Sequence, residues 1–177
     1  VGVGAGPTGE KTIPSNILIV AVYSEAINNL KDLSERATLQ SKFFELEAFS
    51  TIRSAIPGER RTVAIVDFGA SSTKVYIASN GVIKLSHSIP FGSQDTTLSI
   101  SRATGISVPD AERRKRSAGL GADDLGIDLK SIVEVNASFV ANEILKVIRE
   151  FQSKYGGLVE EVVCTGGGIA LPGLFEL

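Results

Sequence analysis

Apolar positions along the chain fall into two regimes that meet near residue 58. Residues 16–22 read Asn-Ile-Leu-Ile-Val-Ala-Val, a continuous run with the length and β-branched content of a buried strand. Ser24 follows as an N-cap with Glu25 in the first turn, and Ile27, Leu30 and Leu33 recur at helical spacing to about Arg36. Residues 42–47 predict a second strand, and residues 48–56 a short helix stopped by Pro57-Gly58. The stretch Pro57-Gly58-Glu59-Arg60-Arg61 is the best boundary in the chain. Residues 1–12 hold five glycines or prolines and little pattern, which reads as a loop. The expected organisation is a lead-in over 1–15, a small subdomain over 16–58 and a larger one over 59–177.

Beyond the boundary the strands crowd together. Residues 62–67, 73–78 and 82–89 are β-rich, and Asn80-Gly81 suits a two-residue hairpin turn, so an antiparallel three-strand meander is expected. Ser93, with Asp95 in the first turn, opens a helix to about residue 103, which Gly105 stops. Ser107 with Pro109 and Asp110 opens another to about residue 117, ahead of a loop over 119–126. That helix and loop make a helical insertion over about 106–127. Ile132, Val135, Phe139, Ile144, Val147 and Phe151 trace one face of a long helix over 129–155. Residues 159–164 form a last buried strand running into Thr165-Gly166-Gly167-Gly168, and Pro172 opens a further helix. The fold class is α/β.

Composition narrows the function. The 177 residues are 43% hydrophobic, enough for a sizeable core, and the net charge of -2 disfavours nucleic acid as a partner. One cysteine and one histidine exclude an internal disulfide and the usual zinc clusters, leaving oxygen-ligated metals such as magnesium. The longest apolar run, residues 17–23, is far short of the roughly 20 residues that span a bilayer, and no secretory leader opens the chain. A reducing, cytoplasmic setting is therefore expected. Methionine is absent, so the chain is read as a piece of something longer.

Two motifs could carry chemistry. In Asp67-Phe-Gly-Ala-Ser-Ser-Thr-Lys74 a carboxylate ends an apolar strand and can hold a hydrated magnesium ion. The small residues after it let backbone N–H groups approach phosphate oxygens. The same pattern also describes a polar β-turn that satisfies only its own backbone. Gly166-Gly167-Gly168 follows a strand and suits close approach by a planar ligand, or a simple strand-to-helix turn. Both lie at strand ends, where α/β sheets place ligands. Arg113-Arg-Lys-Arg116 reads as a solvated helix face, His87 as a structural or surface side chain, and Cys164 as a small apolar residue whose thiol lies next to the glycines. Walker, G-x-S-x-G and H-E-x-x-H sequences are absent.

Val66-Asp-Phe-Gly-Ala-Ser-Ser-Thr-Lys-Val75 resembles the second phosphate motif of the actin-like ATPase superfamily. Residues 85–95, Gly105-Ile-Ser, Ala111-Glu112-Arg-Arg-Lys115 and Cys164-Thr-Gly-Gly-Gly-Ile-Ala-Leu-Pro-Gly-Leu174 continue the likeness in order. Over about 16–177 the chain is similar to the PilM family of cytoplasmic type IV pilus assembly proteins, with the FtsA cell-division proteins as relatives. The resemblance implies part of an actin-like (ribonuclease H-like) α/β fold, with a parallel strand beside the meander, and ATP with magnesium as ligands. It implies that Asp67, Gly69, Ala70, Ser71, Ser72, Thr73 and Lys74 embrace the β- and γ-phosphates, Asp67 holding magnesium through water. Glu112 and Lys115 match positions bordering the ribose and adenine, and Gly166, Gly167 and Gly168 match the adenosine motif. Residues 16–56 are similar to the small subdomain that, in PilM, helps hold the short cytoplasmic N-terminal segment of an inner-membrane pilus protein, PilN. The implied location is cytoplasmic and peripheral to the inner membrane through such a partner, without membrane insertion.

The family's N-terminal half, with its first phosphate loop, and the strand and helix expected after Leu174 have no counterpart in this sequence. One wall of a two-walled cleft is expected to bind ATP weakly and, by itself, to be inactive; at most a weak ATPase is implied. Its open sheet edges invite self-association. Three readings follow: a nucleotide-dependent scaffold of pilus assembly, a division protein of the FtsA kind, and a small-molecule kinase on the same fold. The kinase reading needs a general base aimed at an acceptor, and the sequence offers none beyond carboxylates with other roles.

Overall fold

The computed structural model describes residues 19–58, 60–120 and 129–176, in two compact units divided between Phe44 and Glu45. The expected lead-in, the start of the first expected strand and most of the loop over 119–126 lie outside the described residues. In the first unit, helix α1 (Ser24–Arg36) forms where the periodicity places it, with Tyr23 rather than Ser24 at the N-cap. Residues 19–23 and 39–44 form no strand, and Ile19, Tyr23, Leu33 and Phe43 are exposed. An apolar run becomes a strand only when a neighbour's backbone groups meet its own, and no such ladder forms there.

The second unit holds α2 (Glu47–Ala55), β1 (Thr62–Phe68), β2 (Thr73–Ser79), β3 (Val82–Ile89), α3 (Ser93–Thr104), α4 (Val108–Ala118), α5 (Leu129–Tyr155) and β4 (Glu161–Thr165). The sheet order is β3-β2-β1-β4. Strands β1 to β3 are the expected antiparallel meander, and β4 lies parallel to β1 after the helical crossover. Asn80 and Gly81 both take positive φ, 52° and 72°, as a turn whose twist matches the strands requires.

Alternation along the strands loads both faces of the sheet. Val63, Ile65, Tyr76 and Ala78 pack against Ile52 and Ile56 from the α2 segment. Ala64, Val75, Ile77 and Ile89 pack against Val147 and Phe151 of α5. A third cluster, Ile100, Ala111, Leu129 and Val133, ties α3 and α4 to the start of α5. Packing thus joins α2 to the sheet, and the division between units falls ahead of it rather than at Pro57-Gly58. Sequence punctuation at residue 57 marks a turn inside one core.

Three local differences position the site. Gly92 rather than Ser93 caps α3, its N–H donating to the Asp95 carboxylate at 2.8 Å. β4 starts at Glu161, where pairing with Val63 begins. A short 3-10 turn at Leu174–Glu176 stands where a helix from Pro172 is expected, and another, Gly167–Ala170, precedes it. Among the described residues no helix is long and apolar enough to cross a membrane.

Candidate functional site

A cleft of about 840 Å³ opens in the second unit, lined by Phe68, Ala70 and Thr73, by α3 and α4, by α5, and by the glycine run after β4. The β1–β2 turn borders it through Ala70 and Thr73. Gly69 N–H donates to the Ser72 carbonyl at 3.1 Å, closing residues 69–72 tightly. The first N–H groups of α3 then take the outward carbonyls: Ser93 donates to Gly69 at 3.0 Å and Gln94 to Ala70 at 2.9 Å. No backbone carbonyl of the described residues accepts from Ala70, Ser71 or Ser72 N–H. With the Gly69, Ala70 and Ser72 carbonyls engaged and the amides of residues 70–72 free of backbone acceptors, the turn offers donors and suits an anion.

Alternation puts Asp67 and Lys74 on the α2 face beside this turn. The Lys74 ammonium donates to the Glu47 carboxylate at the start of α2. Burial, then the negative charge of Glu47, pushes the Asp67 carboxyl above the ordinary range. The hydrogen bond that Lys74 donates to Glu47 is the main influence holding its ammonium above its own ordinary value.

The opposite wall is a closed polar network. Lys115 is buried, and its ammonium donates to Ser93 O at 2.8 Å, Thr97 Oγ1 at 2.8 Å and Glu112 Oε2 at 2.7 Å. Glu112 also accepts from the Thr97 hydroxyl and from Arg116 Nε at 2.6 Å. Burial raises the Glu112 carboxyl, but hydrogen bonds from Lys115, Thr97 and Arg116 outweigh it and lower the group to about 2. The basic run is therefore split: Arg113 pairs with Asp110 at the surface, while Lys115 turns into the wall.

The three glycines divide the work at the far side. Gly166 has φ +88°, and a Cβ there would lie 2.4 Å from Asp67 Oδ1 and 2.5 Å from the Phe68 carbonyl. A Cβ on Gly168 would lie 2.8 Å from Phe68 Cβ. Both let the chain cross over β1 at contact distance. A Cβ on Gly167 would meet nothing within 4 Å, and this residue lines the cleft. Leu120 N–H donates to the Pro172 carbonyl at 3.0 Å, tying the end of α4 to this segment. Cys164 also lines the cleft, half-buried, and burial pushes its thiol up.

Of the residues expected at the site, Ala70, Thr73, Glu112, Lys115, Gly167 and Gly168 line this single cleft. Gly69, Ser71 and Ser72 complete the turn, Asp67 and Lys74 flank it on the α2 face, and Gly166 packs over β1. Glu47, Ser93 and Thr97 escaped the sequence reading. Their roles come from contacts across 15 to 27 residues, for which no local spacing gives a sign. Free turn amides, an unobstructed glycine and a satisfied lysine–carboxylate wall fit an adenine nucleotide. Among the described residues no cluster of three acidic, histidine or cysteine groups could hold a metal. Asp67 by itself suits an ion whose other ligands are water and phosphate.

A family model for type IV pilus assembly protein PilM matches residues 4–177. The cell division protein FtsA of Bacillus subtilis (strain 168) is 26% identical over 191 aligned positions, covering 96% of this chain and 40% of FtsA. A solved PilM–PilN type IV pilus biogenesis complex superposes with a TM-score of 0.70 at 19% identity, over 85% of this chain and 43% of that one. MreB5 of Spiroplasma citri bound to ADP gives 0.63 at 18% identity, over 86% of this chain and 56% of that one. The fold is that of the actin-like ATPases, and the chain spans about two fifths of the FtsA and PilM chains it matches.

Proposed function

Because the chain belongs to the family of the type IV pilus assembly protein PilM, we propose that its cleft takes ATP and that occupancy alters the surface offered to a pilus partner. The observation that carries this reading is the convergence of the phosphate turn, the Glu112–Lys115 wall and open Gly167 on one hollow. Phosphates accept from the free amides of residues 70–72. Glu112 and Lys115 border the ribose and adenine, and Gly167 faces the nucleoside. Asp67 is the residue that would hold magnesium, whose charge would offset that of the phosphates. The partner is a short N-terminal segment of an inner-membrane, PilN-like protein, which keeps this cytoplasmic protein at the membrane without inserting it. The solved PilM–PilN complex supports that partner class. The chain works as a switch and scaffold, with ATPase activity weak at most, since the donors around Glu112 leave it no freedom to act as a base.

The similarity to FtsA favours one alternative, a division protein of that kind. Membrane binding through an amphipathic helix elsewhere in the full-length protein distinguishes it from the pilus reading.

Calorimetric titration of the full-length protein with MgATP tests the site. Asp67→Asn keeps the shape but removes the charge, and is expected to weaken binding at least about tenfold. Ionisation of Asp67 is opposed by burial and by Glu47, so its cost falls on the folded state as pH rises past the usual carboxylate value. The amide avoids that cost, and the variant melts no lower than wild type at pH 7. Gly167→Val is expected to fold normally and lose ATP, because a Cβ there meets nothing within 4 Å and the side chain enters the cleft. Binding by both variants equal to wild type refutes the assignment.

A further inference from the structure

The ion pair between the phosphate turn and α2 is a feature that the nucleotide reading leaves unused. Lys74 follows the turn, beside amides that are free to receive an anion, yet its ammonium is engaged by Glu47. Glu47 is the first residue of α2 and the third of the second unit. The charge of the same carboxylate also pushes the neighbouring Asp67 carboxyl up. Two residues earlier, Glu45 is clamped by Arg53 of α2, with one N···O distance of 2.7 Å, so the start of this helix is held from within and from the turn. A carboxylate that takes this cation competes with any anion the lysine could otherwise reach.

We propose that Glu47 is an internal anion of the phosphate site: it holds Lys74 in position until phosphate oxygens displace it, and its release loosens the start of α2 from the turn. This rests on the nucleotide reading and adds a residue to it. The exchange is feasible because the pair is accessible, the Lys74 and Glu47 side chains being 33% and 56% exposed, and exposed pairs are weak. A polyphosphate brings more charge and more acceptor oxygens than one carboxylate, and wins the ammonium. Because Glu47 opens α2, the displaced contact is where occupancy of the cleft can be felt at the start of that helix.

Titration of the full-length protein with ATP and, separately, with adenosine distinguishes the possibilities. Glu47→Gln is expected to tighten ATP about two- to fivefold and to leave adenosine unchanged, since only a phosphate competes for Lys74. Glu47→Asp, which keeps the charge, stays within about twofold of wild type. Lys74→Met weakens ATP, and in that background Glu47→Gln brings no gain. Hydrogen exchange over residues 45–55 is expected to quicken when ATP, but not adenosine, is added. Unchanged or weaker ATP binding by Glu47→Gln, an equal gain for adenosine, or a gain that survives loss of Lys74 overturns the role of Glu47. If wild type binds no ATP at all, the nucleotide reading fails first and takes this proposal with it.

Discussion

At the scale of single residues, the site depends on how polar side chains are satisfied before any ligand arrives. Glu112 is the clearest case, because its carboxyl is lowered to about 2 against the opposing effect of burial. A carboxyl depressed in the fold contributes stability above its unfolded value, about 4.3, and loses it as pH falls toward the folded one. The melting-temperature advantage of wild type over Glu112→Gln should therefore be full at neutral pH and shrink between about pH 4.5 and 2. A constant difference across that window would mean that the ionised form gains nothing from Lys115, Thr97 and Arg116. The residue types were legible from sequence, and the partners were not. Glu112 and Lys115 came from a resemblance to a motif, while Thr97 and Ser93, which hold them, lie on another helix. Likewise Gly166 to Gly168 drew notice as a bare run. Only coordinates separate the two glycines that clear β1 from the one that faces open space.

At the scale of elements, legibility followed the strength of local signals. β3 spans residues 82–89 and α5 residues 129–155 as the patterns predict, because a positive-φ turn fixes the first and a long periodic face the second. Residues 16–22 and 42–47 carry an equally apolar pattern, but the described part of each is unpaired, since strand formation needs a neighbour that periodicity does not supply. The sheet's α5 side is the structural support of the cleft: Val147 and Phe151 anchor the helix whose earlier turns line it. Phe151 is 2% exposed, so Phe151→Ala should cost about 3–5 kcal/mol in urea denaturation. A loss under about 1 kcal/mol would mean that α5 is not held by this contact.

At the scale of the molecule, the cleft is walled by one compact unit in a chain that spans 40% of FtsA and 43% of the PilM chain it resembles. Affinity in such clefts grows with enclosure, so we expect MgATP to bind the full-length protein at least about tenfold more tightly than this chain by itself. Equal affinities, measured by the same titration, would mean that the residues described here suffice. Among the described strands β3 and β4 stand at the sheet's two margins, with Val162 of β4 48% exposed. Cys164 belongs to that same β4, and with methionine absent it carries the only sulfur in the sequence. Its thiol opens on the hollow assigned to the nucleoside, slowed by burial but not sealed. A bound nucleoside would cover that thiol, so the rate at which it is alkylated is a native gauge of filling and emptying, with no cysteine added.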